Sequence, residues 1–367
     1  MMTIATDDAI MQNPHCMQVL QTGRKYQCFD GLPLTRTLIE EDGAEYAPRD
    51  HEPKSVVFNY YRREFVEEVE FLTMMTEPDE PNVVMVVVGA APGYDLLLLM
   101  QFFPSVRFIL YDPLPIKIPR DHPSVLQIHQ RLFTDDDARH IRSRFHDRGD
   151  SKTKVLLQCY TRISQHEFAT NLSRIKTWHQ IIRPYAGAYE VNLPYASDRS
   201  TRFIKGTLHY PIWNKPAGAE CRLITDISTT QLASYDHRRY ERCMMHFNTV
   251  RRTSLHRCGA HHYDDACYDC AAESAVVAAY CDKFRSRAAM RDVVGTINRH
   301  FRLHPSLPDW YPQKQSDDAE EVRRRKDFPK RDDRTNEADN RSFSPASSPQ
   351  RHQAPSSIAS SNRRAQL

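Results

Sequence analysis

Residues 83–100 read VVMVVVGAAPGYDLLLLM. Six consecutive apolar residues offer no polar face to water, so this run has to be covered on both sides, the condition of a central strand in a parallel sheet. The glycines and proline that follow stop the strand, and YDLLLLMQFF (94–103) then has the composition and length of a helix. A second apolar run, RFILYD (107–112), follows at once. Strand, helix and strand in that order predict a βαβ unit with a right-handed crossover. Pro92 and Gly93 also interrupt the most apolar stretch of the chain, well short of the ~20 residues needed to span a bilayer.

The pattern continues on both sides. Val57, Tyr61, Phe65, Val69 and Leu72 recur at helical spacing and predict an amphipathic helix leading into the domain. KVLLQCY (154–160) predicts a third strand, and residues 166–182 a long helix carrying Trp178. GAYEVNLPY (187–195), TLHYPIW (207–213) and CRLITDI (221–227) add three more strands, and residues 235–250, 269–284 and 291–301 read as helices. The fold class expected is a doubly wound, Rossmann-like α/β domain over residues 51–312. It follows a partly ordered arm (1–50) with one short element near residues 32–41. A basic, Ser/Pro-rich tail (313–367) ends the chain, too poor in apolar residues to offset its chain entropy.

Composition narrows the chemistry only locally. Fifty Lys and Arg against 47 Asp and Glu leave a net charge of +3, which selects no class of partner. Arg238, Arg239, Arg242, Arg251 and Arg252 crowd one segment, as either a solvated helix face or one turned toward RNA. Nine scattered cysteines and the lack of an apolar leader predict reduced thiols in the cytoplasm. Cys258, His261, His262, Cys267 and Cys270 could hold zinc, but only one Cys-x-x-Cys is present, and buried packing thiols are the default reading.

The turn itself carries a chemical suggestion. Gly89 and Gly93 are spaced G-x-x-x-G, unlike the G-x-G-x-x-G of dinucleotide sites, and Pro92 stiffens the turn. Asp112, at the end of the second strand, stands where a carboxylate can accept the hydroxyls of an adenosine ribose. Turn and carboxylate together predict an S-adenosylmethionine site.

Further segments carry a resemblance. NYYRREFVEEVEFL (59–72), VVVGAAPG (86–93), ILYDPLP (109–115), NLPYA (192–196), AECRLI (219–224), SYDHRRYERCMMHFNTVRR (234–252) and YDDACYDCAAE (263–273) resemble, in this order, one family. It is the poxvirus-type cap-specific mRNA 2'-O-methyltransferase family, whose members double as the regulatory (small) subunit of poly(A) polymerase. The resemblance runs from about residue 54 to about residue 301 and implies a viral protein of the host cytoplasm or virion. It implies that Gly89, Ala91, Pro92, Gly93 and Asp112 hold S-adenosylmethionine. Tyr195 would stack on the methylated guanine of the cap and Asp236 would recognise the same base, whose positive charge favours a π face and a carboxylate. Implied partners are capped mRNA or single-stranded RNA, and a poly(A) polymerase catalytic subunit.

The catalytic pattern of that family departs. Its Lys-Asp-Lys-Glu tetrad, in which the second lysine takes the proton of the ribose hydroxyl, falls here on Arg63 (Arg62 being the other register), Tyr160, Glu190 and Glu220. Only Glu220 matches. A guanidinium cannot act as a base, and a phenol would need its pKa driven far down. Glu190 and Glu220 bring two negative charges together, one of which Arg63 could offset. The expectation is therefore a family member that binds S-adenosylmethionine and capped RNA with methyl transfer lost or rewired. The alternatives are a noncatalytic polymerase subunit that grips RNA, or a scaffold protein on a retired enzyme fold.

Overall fold

A computed structural model describes residues 28–30, 36–38, 60–147, 152–160, 168–195, 197–214, 219–251, 255–257 and 266–303. All belong to the first of the two units into which the chain divides, residues 1–313 and 314–367. The expected tail, and most of the expected arm, lie outside the described residues.

The helix and strand expected around the turn form as β2 (Val83–Val88), α2 (Tyr94–Phe102) and β3 (Val106–Tyr111), following α1 (Tyr60–Met75) and a short strand β1 (Cys28–Asp30). Next come β4 (Val125–His129), α3 (Asp135–Arg142), β5 (Lys154–Cys159), α4 (Phe168–Ile182) and β6 (Ala186–Val191). The remainder is β7 (Ser200–Ile204), β8 (Gly206–His209), β9 (Cys221–Thr225), β10 (Leu232–Asp236), α5 (His237–His246), β11 (Leu255–Arg257), β12 (Ala266–Cys267), α6 (Tyr268–Phe284) and α7 (Met290–Leu303).

Seven strands make one sheet in the order β4-β3-β2-β5-β6-β9-β8. From β2 the chain winds outward through β3 and β4, then returns to β5 and continues to β6 on the other side, all in parallel register. The fold is thus mixed α/β with a mostly parallel sheet, compatible with a Rossmann-like class. The two windings diverge between β2 and β5, and their carboxyl ends leave the crevice where such sheets bind ligands.

Several expectations change. β9 runs antiparallel to both β6 and β8, so the sheet is not wholly parallel. TLHYPIW gives only a four-residue strand, because Pro211 has no N–H for the ladder; Tyr210, Ile212 and Trp213 turn into the core instead. β4, α3 and the antiparallel pair β7 and β10 were not anticipated. α3 turns only Ala138 and Ile141 into the core, too short an apolar stripe to read in the sequence, but its start carries a capping box between Thr134 and Asp137. Arg131 adds an ion pair to Asp137 and, against the opposing effect of burial, holds that carboxyl down at about 2.

The largest correction concerns α1. In place of an amphipathic helix it is buried all round, with Arg62, Arg63, Glu64, Glu67 and Glu68 all at or below 4% exposure. It packs against α2 and α6, so its charges must be satisfied inside the protein. Arg62 makes a fork to Glu273 of α6 at 2.7 and 2.6 Å and a further bond to Asn298 of α7 at 2.7 Å. Glu70 is held from the opposite side by Arg36, at 3.0 and 2.9 Å. That arginine sits in a short extended segment that covers the exposed edge of β8: Leu38 N–H donates to Leu208 O at 2.9 Å, and Thr37 bridges to His209. Residues 36–38 are all that is described of the short element expected near 32–41.

No helix among the described residues is long and apolar enough to cross a membrane.

Candidate active site

Gly89 and Gly93 adopt left-handed backbone, φ 91° and 83°, which only glycine takes without strain. Each is also closely packed. A Cβ on Gly89 would lie 2.5 Å from the carbonyl oxygen of Tyr160, and one on Gly93 would lie 2.8 Å from Ile118 Cδ1. Contact with the neighbouring strand end and the following loop therefore already requires these glycines, independently of any ligand.

The amides of the turn are committed inward as well. Gly89 and Ala90 N–H both donate to Tyr111 O, at 2.8 and 3.2 Å, and Ala91 N–H donates to Asp112 Oδ2 at 3.0 Å. Leu114 N–H donates to Asp112 Oδ1 at 2.8 Å. Each carboxylate oxygen keeps a second lone pair, so Asp112 is an acceptor fixed in place by two main-chain donors. The residues fit an adenosine ribose through Asp112 and the α2 N-terminus, not through the turn's own N–H groups.

Tyr160 follows β5 and abuts Gly89, so the second cluster begins where the turn ends. Three of the four tetrad positions meet directly. Arg63 donates from Nη1 to Glu220 Oε2 at 2.6 Å and from Nη2 to Glu190 Oε1 at 3.4 Å. Asn214 Oδ1 accepts from Nη1 at 3.1 Å, and Glu67 pairs with Nε at 3.3 Å. Arg62 points the other way, toward α6 and α7. Tyr160 joins through Arg222, whose Nη1 lies 3.1 Å from the phenol oxygen and 3.4 Å from Glu67 Oε2. The second amino group of Arg222 donates to Gln158 Oε1 at 2.9 Å.

Burial separates the members. Arg63, Glu67 and Arg222 are enclosed, whereas the side chains of Glu190 and Glu220 are 11% and 23% exposed. Those two carboxylates are the cluster's face toward solvent.

The electrostatics follow. Burial on its own would lower the Arg63 pKa, but Glu67, Glu220 and Glu190 outweigh it and hold the guanidinium charged well above its ordinary range. Burial pushes the Tyr160 phenol well up, and Arg222 offsets only part of this. Neither residue can take a proton from a ribose hydroxyl at neutral pH. Glu68, beside this cluster, has its carboxyl pushed well up by burial and then by Asp95 of α2; one of its oxygens, Oε2, is buried with no partner among the described residues.

Arg222, Glu67, Gln158 and Asn214 were missed in the sequence. Two of them left a signal: Glu67 lies four residues along a helix from Arg63, and Arg222 lies only two residues from Glu220, which immediately precedes β9. Gln158 and Asn214 left none.

Tyr195 is half-buried, its ring 6.2 Å from that of Tyr240 in α5. Asp236 is exposed and caps the same helix, accepting from Arg239 N–H at 2.7 Å. Arg238, Arg239 and Arg242 lie exposed on α5, whereas Arg251 is buried over the Tyr210 ring; Arg252 lies outside the described residues. So do Cys258, His261 and His262 of the possible zinc set. Cys270 is a buried thiol, and no group of three metal-ligating side chains occurs among the described residues.

A cleft of about 710 Å³ opens between α4 and the segment running from Pro194 into β7, with His237 at the head of α5 on its wall.

No protein family model matches the chain, and no curated protein matches it. Among solved structures it is similar to bluetongue virus VP4, described as a multifunctional RNA-capping production line, at 13% identity and a TM-score of 0.37. That match covers 68% of this chain and 43% of the other. The chain spans less than half the length of that protein, and the function proposed for it rests on its own residues.

Proposed function

We propose that this chain is an S-adenosylmethionine-binding and RNA-binding protein of the cap 2'-O-methyltransferase type in which methyl transfer has been lost. The observation that carries the reading is the position of Arg63. It stands at the sheet's carboxyl edge, next to the crevice between β2 and β5, and ties up Glu190 and Glu220 where a proton acceptor would have to work. A carboxylate whose oxygen already accepts from a buried guanidinium is a poor base for a hydroxyl, and no lysine is among the cluster's described partners.

Asp112 and the head of α2 supply the cofactor side of the crevice. Bound there, S-adenosylmethionine would present its methyl group as an electrophile. Tyr195 and the Asp236 region supply the side toward the cap, with Tyr195 offering a π face to a cationic base.

Two measurements on the full chain test this. Calorimetry with S-adenosylmethionine is expected to show binding that Asp112→Ala weakens; no binding would sink the reading. Incubation with labelled S-adenosylmethionine and capped RNA is expected to give no transfer. Transfer that Glu190→Ala abolishes would show instead that the cluster is a working, rewired site.

A further inference from the structure

The cleft beside α4 shares no lining residue with the Arg63 cluster or the glycine turn, and its lining is distinctive. Lys176 projects from α4, Arg199 from the segment after β6, and Arg202 from β7. Hydroxyls stand between these cations: Ser173 on α4, then Ser197, Ser200 and Thr201. Neither tyrosine nor tryptophan is among its described lining residues, and Phe203 is buried under the strand pair. Such a wall offers a nucleobase little to stack on, but it offers phosphate and ribose oxygens charge and hydrogen bonds. The one acid among the described lining residues, Asp198, is paired with Arg238 of α5.

The segment carrying Arg199 is held in shape before any ligand arrives. His237, buried at the head of α5, has its Nδ1 3.0 Å from Ser197 Oγ and its Nε2 2.8 Å from Thr201 Oγ1. Its main-chain N–H donates to Arg199 O at 3.1 Å. One imidazole thus pins both ends of the stretch 197–201. Burial lowers the His237 pKa, in keeping with a neutral ring that donates through one nitrogen and accepts through the other. Fixing a loop in advance reduces the entropy cost of binding.

Position supplies the last step. The cleft lies past the carboxyl end of β6, and its rim begins at Pro194, four residues after Glu190 and next to Tyr195. It therefore continues the same edge of the sheet as the crevice. We propose that this cleft binds the phosphodiester backbone of single-stranded RNA, independently of base identity, through Lys176, Arg199 and Arg202. The inference rests on the RNA-binding part of the proposed function and adds the place and manner of grip.

The test uses the full chain and a short uncapped oligouridylate, followed by fluorescence anisotropy over a salt series. Lys176→Ala/Arg199→Ala/Arg202→Ala is expected to weaken binding at least about tenfold near 50 mM salt. It should lower the slope of log K against log salt by about 2, since each single-strand phosphate neutralised by a cation accounts for roughly 0.7. Arg107→Ala/Arg139→Ala/Lys152→Ala removes three exposed cations elsewhere and should leave the slope within about 0.5 of wild type.

Equal losses in the two triple variants, or an unchanged slope in the first, would overturn the proposal. So would binding of inorganic phosphate or a free nucleotide in the cleft with no binding of the oligomer. S-adenosylmethionine binding measured on the same proteins reports on the crevice alone, so failure there is read separately. Retained cofactor binding or an unshifted thermal midpoint shows the cleft variant to be folded; Arg202→Glu, exposed on β7, provides a second, single-site version expected to weaken the oligomer by about tenfold or more.

Discussion

At Gly89–Gly93 the polar groups that meet are main-chain amides, one carbonyl and the Asp112 carboxylate, drawn from two neighbouring strand ends. A strand width away, around Arg63, they are side chains from α1, β5, β6 and β9 together with two connecting segments. The first arrangement needs only that a strand stop and a glycine turn; the second needs several parts of the chain to arrive together. The difference teaches where function could change. A turn satisfied by its own backbone tolerates few substitutions, because its geometry is the fold's geometry. A side-chain cluster can exchange members provided its charges stay countered, and Arg63 and Arg222 among Glu67, Glu190 and Glu220 hold the excess to a single negative charge.

Removing charge from the cluster should give the largest effect. Arg63→Met leaves Glu67, Glu190 and Glu220 facing one another, and is expected to cost about 3–5 kcal/mol in urea unfolding. Arg63→Lys should recover only part of this, since an ammonium cannot span three carboxylates and an amide in one plane. A loss under about 1 kcal/mol for Arg63→Met would mean that the cluster is far more hydrated than its burial shows.

On the turn, Gly89→Ala meets both a left-handed backbone and the Tyr160 carbonyl. About 1–3 kcal/mol is expected, with S-adenosylmethionine affinity falling as Tyr160 is displaced. Gly93→Ala should cost less, because the end of the Ile118 side chain can move where a carbonyl cannot. Equal costs at the two glycines would break the distinction between backbone and side-chain obstruction.

Glu68 lies between the two regions, near Asp95 on one side and bonded to Gln158 on the other. Its folded pKa is raised, so its contribution to stability is fully present below the unfolded value near 4.3. That contribution is lost as pH rises toward the folded value. Glu68→Gln keeps an acceptor for Gln158 and cannot ionise; it should raise stability at pH 8 by about 1–2 kcal/mol and change it little near pH 4. Unfolding midpoints at the two pH values check the sign.

The smallest effect is expected at Asp236. Asn caps a helix about as well as Asp, so Asp236→Asn should change stability by less than about 0.5 kcal/mol. Asp236→Ala should cost about 1 kcal/mol. If Asp236 also reads a cationic base, Asp236→Asn will weaken a methylated cap analogue while leaving the melting temperature in place. Equal cap affinity in the two proteins would reduce Asp236 to a helix cap.

Much of the fold was legible in the residues. Val83–Val88 and Lys154–Cys159 are strands because an apolar run buried on both faces has few other ways to fold. α6 and α7 keep the helical periods seen in the sequence. What was illegible lacked an apolar signature. β4 is half-buried along its whole length, α3 is mostly charged, and β7 and β10 depend on one another for pairing. The site divides in the same way. Arg63, Tyr160, Glu190 and Glu220 could be named singly, but nothing local says that Arg222 reaches Tyr160, or that Arg62 pairs with α6 while Arg63 pairs with the carboxylates at the sheet edge.

By itself the sequence determined the βαβ unit, the left-handed turn and the carboxylate at the end of β3, because these follow from hydrophobic runs, glycine and short-range hydrogen bonds. The tertiary structure alone decided that α1 would be buried with its charges, that β9 would run antiparallel, and that Arg63 would pair with both carboxylates at the crevice. An ion pair is a property of distance and dielectric, and residues 157 positions apart, as Arg63 and Glu220 are, acquire both only when the chain has folded around them.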